Sequence, residues 1–569
     1  MRHCLLLLVC AGGCSDGPAK EPADRAAATT STDGPGWSGG GDSDDSGRAP
    51  GGLLDGEADV RGSVAAELRG GTARACSDPT QRTTEGPFHH IDDAFDVVGE
   101  PAMPDGPVGS GVTAADLDAD GHLDVLLVRY EGVYLFLGDG AGGLTHASDR
   151  LPEVADPSPN LAASVAADFD ADGDLDIVLA NRGGPDELWW NDGSGHFTRD
   201  GEAPFASAAR ASVGVSAADV DGDGDLDLFF AGHSDRGVGA GADASGLYLW
   251  NGYGFEAHSS ALPAETEAGF TFQGTWFDGD QDGDLDLLLV NDHGHVALPN
   301  QMLENQSSVG GVSLVRWPEA GLDATMLAMG VALADFNDDT RPDLLITNFG
   351  QLSLFESLDD NTWFDSAVAR GLIQDADTQV VGWSVVAEDL DNDADLDVWA
   401  TFGAIPESAT SMANPFAQPD ALWEQTEGGF VERAAAWGVD DDAVGRGGLA
   451  VDLNEDGWLD IITAPLITMP RVHLSRCGAE SWLQVDLEAP GANPAAVGAV
   501  VEVRAAGRAH RRWVVAGGTQ MYGSPPATVH VGLGSASEAQ AVVVRWPDGE
   551  TSVVGPVRVN QKVTVVRTE

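Results

Sequence analysis

The sequence predicts an all-β chain, a seven-bladed β-propeller followed by a small C-terminal β-domain, on three observations. An Asp-rich nonapeptide recurs seven times, at intervals of 52, 51, 59, 57, 54 and 63 residues, and such a period marks an array of like supersecondary units. Runs of four to six apolar residues flank each copy, as in Asp124-VLLV, Asp176-IVLA and Asp286-LLLV; they are too short for helices and suit buried strands. After the last copy, alternation continues without the loop, in Val500–Ala505 (VVEVRA) and from Ala541 (AVVVRW), which reads as a further β-domain.

The N-terminus reads as an export signal. Arg2 precedes an apolar core, Leu5–Val9, far short of the ~20 residues a membrane span needs. Ala11-Gly12-Gly13 then lead to Cys14, a pattern that resembles a bacterial lipobox. Residues 1–13 are therefore expected to be a signal peptide and Cys14 a lipidated N-terminus, giving an outer-membrane or cell-surface lipoprotein; the alternative is an ordinary signal peptide and a secreted protein. Residues 14–82, rich in Gly, Ser, Asp and Pro, are expected to form a disordered tether. The propeller is placed at 83–478 and the β-domain at 479–569.

Each propeller unit is expected to supply four antiparallel strands. A small-residue strand such as Val213-GVSAA enters the Asp-rich loop, the apolar strand leaves it, and a second strand pair follows across a glycine turn, as in Leu188-WWNDGSGHF and Leu422-WEQTEGGF. Units of this size and number close radially and leave few free edges.

The repeat has the form D-x-D-x-D-G-x-x-D. Its candidate metal ligands, at positions one, three, five and nine, are Asp116, Asp118, Asp120 and Asp124; Asp168, Asp170, Asp172 and Asp176; Asp219, Asp221, Asp223 and Asp227; Asp278, Asp280, Asp282 and Asp286; Asp335, Asn337, Asp339 and Asp343; Asp389, Asp391, Asp393 and Asp397; and Asp452, Asn454, Asp456 and Asp460. Alternating carboxylates on a tight turn converge on one point, and hard oxygen donors suit Ca²⁺, which accepts six to eight of them. Up to seven Ca²⁺ are expected. Glycine at position six permits a left-handed backbone, and position seven can add a carbonyl. An EF-hand needs Glu at position twelve, where this chain has Leu127, Leu179, Phe230, Leu289, Ile346, Ala400 and Thr463. Thr340 and Ala394 replace the loop glycine, and Asn337 and Asn454 each remove a charge. The fifth loop departs at both places and is expected to bind most weakly.

Charge narrows the function further. The 92 acidic residues face 29 basic ones, for a net charge of −63. Such a chain repels phosphate backbones, so nucleic acid is not an expected partner. Four carboxylates in one loop also repel each other unless a cation joins them. The five cysteines, Cys4, Cys10, Cys14, Cys76 and Cys477, form no zinc motif.

Catalytic signatures are few. Gly36–Gly40 fits G-x-S-x-G but lies in the tether rather than at a strand–helix elbow. Gly138–Gly143 fits G-x-G-x-x-G but reads as a hairpin turn. Neither Lys20 nor Lys562 follows a phosphate loop. His89-His90 beside Asp92-Asp93, and His293-Gly-His295, could bind metal, although surface histidines are the ordinary reading. Trp189, Trp190 and Trp250 read as packing residues, with a sugar-stacking platform as the alternative.

The repeats resemble the FG-GAP/VCBS repeats of integrin α-chain propellers, in which the calcium loop joins the first two strands of a blade. The tail, with Trp482-LQVDL, Val497-GAVVEV, Gly517-GTQMY, Val529-HVGLG, Val544-RWPDG and Asn560-Gln561, resembles the ASPIC/UnbV domain. Propeller followed by that domain is the layout of the cartilage acidic protein family. Asn493-PAA stands where that family usually carries a more polar Asn-Arg segment. The resemblance implies extracellular placement, calcium binding and an interaction role. Ring closure would bring Cys76 near Cys477, as a disulfide or as two free thiols.

The expected function is thus non-catalytic: a calcium-binding cell-surface protein that mediates adhesion or binds an extracellular protein or glycan, held to the membrane by its N-terminal lipid. A polysaccharide hydrolase or lyase on a propeller scaffold, and a structural envelope or matrix component, are the alternatives.

Overall fold

The small-residue runs ahead of the Asp-rich loops become the innermost strands of seven antiparallel four-stranded sheets. The computed structural model describes residues 64–568 except 72–75, 77–79, 92–93, 97, 99–108, 157–159, 208–209, 235–240, 309–310, 375–379 and 406–415. The innermost strands are Ser110–Ala115, Leu161–Ala167, Ser212–Ala218, Phe270–Phe277, Val331–Ala334, Gly382–Glu388 and Gly447–Val451. They stand side by side in that order around a ring. Gln273 Oε1 accepts the Val331 N–H at 3.1 Å between the fourth and fifth sheets, and the last strand packs against the first. The approach there is close: a Cβ on Gly447 would lie 2.3 Å from the Ser110 carbonyl. The fold is a β-propeller.

Every Asp-rich loop joins an innermost strand to the next one outward, such as Asp124–Arg129 in the first sheet and Asp286–Asp292 in the fourth. All seven loops therefore open on the same end of the ring. The apolar second strands feed cores that lie between neighbouring sheets. Val125 and Leu127 face Leu449 and Ile462 of the seventh sheet, whereas Leu126 and Val128 face Leu161 and Leu179 of the second. This two-sided burial explains why these strands read as continuous apolar runs. The seventh sheet takes its outer strand, Phe88–Ile91, from ahead of the first repeat; it pairs with Arg471–Ser475 and ties the ring shut. A disulfide joins Cys76 to Cys477, with the Cα atoms 5.6 Å apart.

The C-terminal domain packs two sheets over an apolar core that includes Val485, Val501, Val531, Val544 and Val563. The first sheet runs Ala66–Gly70, Gln561–Arg567, Ser481–Glu488, Val529–Gly534; the second contains Arg508–Trp513, Val500–Ala505, Glu538–Arg545 and Thr551–Val554. Two expectations need correction. The tether was expected to extend through residue 82, but Ala66–Gly70 forms an edge strand of this domain, antiparallel to Gln561–Arg567. Backbone pairing and the packing of Val64 and Ala66 against the domain core override the weak local composition. Nor is the β-domain built from 479–569 alone.

The domain also enters the propeller. Ala516–Gly517 pairs with Ser216 and Ala217 of the third sheet, and Gly523–Ser524 pairs in parallel with Val112 and Thr113 of the first. Between them, Gln520 N–H donates to the Val331 carbonyl at 2.9 Å, and Thr275 Oγ1 donates to the Gly518 carbonyl at 2.5 Å. Met521 is fully buried. The Tyr522 ring stacks on Trp383 at 6.2 Å and meets Phe272 edge-on. Residues 516–524 thus plug the middle of the ring and reach the innermost strands of all seven sheets. Gly517, at φ +68°, has no room for a Cβ, which would fall 2.5 Å from the Val215 carbonyl.

Candidate metal centre

Each loop is shaped by its own carboxylates. The position-one aspartate accepts backbone N–H groups from across the turn: Asp116 from Asp120 and Gly121, Asp335 from Asp339 and Thr340, Asp389 from Asp393 and Ala394, Asp452 from Asp456 and Gly457. Position six is left-handed in every loop, from +70° at Thr340 to +110° at Gly283. Thr340 and Ala394 adopt it without being glycine.

The ninth-position aspartate has a second task that sequence spacing did not show. In all seven loops one of its oxygens accepts the N–H of loop residue two, and the other an N–H of the third strand. For Asp124 the donors are Leu117 and Gly138, at 2.8 and 2.9 Å; for Asp227, Val220 and Trp250, both at 2.9 Å; for Asp460, Leu453 and Ser475, at 3.0 and 2.7 Å. Asp176, Asp286, Asp343 and Asp397 repeat the pattern. This residue pins the loop to its blade.

In each of the first four loops, three of the four candidate ligands come together. Asp116, Asp118 and Asp124 each bring an oxygen within 4.8 Å of the others, as do Asp168, Asp170 and Asp176, then Asp219, Asp221 and Asp227, then Asp278, Asp280 and Asp282. Asp120, Asp172 and Asp223, at position five, are not in the first three groups, and Asp286 is not in the fourth. Oδ1 of Asp118, of Asp168 and of Asp221 is buried without a hydrogen-bond partner. Burial, reinforced by neighbouring carboxylates, pushes these acids up: Asp219 to about 6, Asp124 to about 7, Asp176 and Asp227 to about 8. Clustered oxygen donors that are costly to ionise alone fit a hard dication such as Ca²⁺. In the fifth loop, Asp339 is already engaged by Arg341 at 2.6 Å.

Sequence reasoning missed the arginines of the C-terminal domain that reach the loops of the fourth to sixth sheets. Arg545 contacts Asp278 at 2.7 Å. Arg508 bridges Asp338 and Asp395, and Arg511 donates to the Thr340 carbonyl. In the sixth and seventh loops, His530 Nε2 lies 2.8 Å from Asn392 Oδ1, and Gln484 donates to Asp452 at 2.9 Å. A Cβ on Gly532 would fall 1.9 Å from Asp389 Oδ2. The β-domain thus sits on the loop-bearing end of these four sheets. Clusters of Arg in the tail (Arg504, Arg508, Arg511, Arg512) against an acidic propeller were the available signal.

Other candidates resolve as follows. Trp189 and Trp250 are core residues, and the half-buried Trp190 packs edge-on to Trp250; these rings offer no open sugar platform. Gly138–Gly143 lies at the turn between Gly132–Gly138 and Leu144–His146. His89 and His90 are in the closing strand, while Asp92-Asp93, Cys14 and Gly36–Gly40 fall outside the described residues. Asn493 closes its own turn, bonding both N–H and carbonyl of Val497 at 2.8 Å.

The family model "ASPIC and UnbV" matches residues 489–569, and "FG-GAP-like repeat" matches 116–179 and 168–230. Cartilage acidic protein 1 from Mus musculus is 28% identical over 279 residues, 47% of this chain and 40% of that protein; the Xenopus tropicalis protein is 28% identical over 282, with the same shares. The chain thus spans about 40% of the length of these relatives. The solved BP39L lectin of Burkholderia pseudomallei aligns at 15% identity and TM-score 0.39, over 65% of this chain and 97% of that one. The chain carries FG-GAP-like repeats and an ASPIC/UnbV domain, and is a distant homologue of cartilage acidic protein 1.

Proposed function

We propose that this chain is an extracellular, calcium-loaded binding or adhesion module that recognises a protein or glycan at the cell surface. The observation that carries the reading is the convergence of three carboxylates in each of the first four loops, with buried oxygens left unpartnered. Calcium would join each loop to the two strands that it connects and stiffen the ring as a display scaffold. The β-domain covers the loop-bearing end of the fourth to seventh sheets, so the ligand would meet the opposite end or the rim. FG-GAP-like repeats and the homology to cartilage acidic protein 1 support a surface setting. Export with a lipid on Cys14 would supply the anchor. Among the described residues no helix is long and apolar enough to cross a membrane.

The test is a glycan array and a cell-surface binding assay with the purified chain, in calcium and after its removal on chelating resin. Calcium-dependent binding to a defined glycan or surface protein is the expected result. Turnover of a polysaccharide substrate would instead favour an enzyme.

A further inference from the structure

We propose that His233, Asp292 and His293 form a Zn²⁺ site, distinct from the Asp-rich loops in both position and chemistry. His233 follows the second strand of the third sheet, Asp227–Gly232, and Asp292 ends the second strand of the fourth, Asp286–Asp292. Both strands begin at Asp-rich loops, so the cluster lies at their far ends, about 20 Å away at the rise of an extended chain.

Ligand atoms of the three residues lie within 4.8 Å of one another. Asp292 Oδ2 sits 3.1 Å from His293 Nε2 and 3.7 Å from His233 Nε2. Two ligands bound to one zinc at ~2.05 Å in tetrahedral geometry stand roughly 3.3 Å apart, so the observed separations need little adjustment. The main chain already fixes the ligands. His233 N–H donates to the Ala211 carbonyl at 3.0 Å, and Asp292 Oδ1 accepts the His293 N–H at 2.6 Å.

His233 points to the ion. Its side chain is 92% buried and neither ring nitrogen has a hydrogen-bond partner. An imidazole stripped of water and left unpaired is costly, and a metal at Nε2 would satisfy it. Phe270 and Phe272 wall the ring, at centroid distances of 5.3 and 4.4 Å, which excludes water from that side.

The donor set decides the ion. Two imidazole nitrogens and one carboxylate suit borderline metals, whereas Ca²⁺ prefers oxygen alone. Three protein ligands leave a coordination position open, as in zinc sites that engage a further molecule. His233 Nδ1 has no outer partner, so the affinity should fall below that of a closed structural zinc. The adjacent His295 is exposed, its ring 6.4 Å from that of His293, and is not a ligand.

The experiment titrates the untagged full chain with Zn²⁺ in saturating Ca²⁺, by calorimetry, and then with Co²⁺ to read its visible absorption. One ion per chain should bind with the intense absorption of a tetrahedral nitrogen–oxygen site. His293→Ala and Asp292→Asn should each weaken binding at least tenfold while leaving the zinc-free melting temperature within about two degrees of wild type, and His295→Ala should bind as wild type. Absence of binding at micromolar Zn²⁺, wild-type affinity in both ligand variants, or loss of binding in His295→Ala would each overturn the assignment.

Discussion

Truncating the plug should separate two domains that otherwise unfold together. Met521 is fully buried, and Tyr522 is 3% exposed against Trp383 and Phe272. Buried Met→Ala and large aromatic→Ala changes cost about 2–5 and 3–5 kcal/mol respectively. The two side chains are neighbours in one cavity, so their costs will not add in full; about 5 kcal/mol is expected for Met521→Ala/Tyr522→Ala. The contact lies between the two domains, so the loss should fall on their coupling. Urea unfolding followed by tryptophan fluorescence should show one transition for the parent chain and two for the double variant. Val553→Ala, at a 64% exposed position of the same domain, should change stability by under about 0.5 kcal/mol. A single unshifted transition in the double variant would refute the plug as an energetic link.

Three further outcomes follow from the loops. Burial raises Asp124 to about 7 and Asp176, Asp227, Asp286 and Asp343 to about 8, so between pH ~4 and ~8 the metal-free folded chain holds more protons than the unfolded one. Its stability should therefore fall as pH rises through that window; with calcium the trend should flatten or invert, because the metal holds the ionised form. Melting curves of resin-stripped and calcium-loaded protein at pH 5 and 8 check both signs. Arg545→Ala removes a cation from Asp278 and should tighten calcium at the fourth loop several-fold, read by calcium titration. Ala394→Gly relieves a left-handed alanine at φ +83° and should stabilise the chain by about 0.5–1 kcal/mol in a denaturant titration.

The propeller was legible because its signal is periodic. The same strand–loop–strand pattern appears seven times, and in each of the first four loops three of the spaced aspartates meet. What stayed hidden depends on long-range pairing. Nothing in Ala66–Gly70 (AELRG) announces a strand whose partner lies almost 500 residues away. Gly517–Tyr522 could be recognised as a motif, yet its role as a plug rests on the shape of a ring that it enters. The double duty of Asp124 and its six counterparts needs the third strand in place. His233 is 59 residues from Asp292, and the visible pair, His293 and His295, contains only one member of the cluster.

The central claim is that calcium is a structural part of each blade, and thermal unfolding of the full chain tests it most directly. Each independent site that binds only the folded chain adds about 2.7 kcal/mol at a calcium concentration one hundred times its dissociation constant. Resin-stripped protein should melt tens of degrees below calcium-loaded protein, and the Asp335→Ala variant should lose the least calcium of any position-one replacement. Identical melting with and without calcium would contradict the account and leave the loops as turns without a metal.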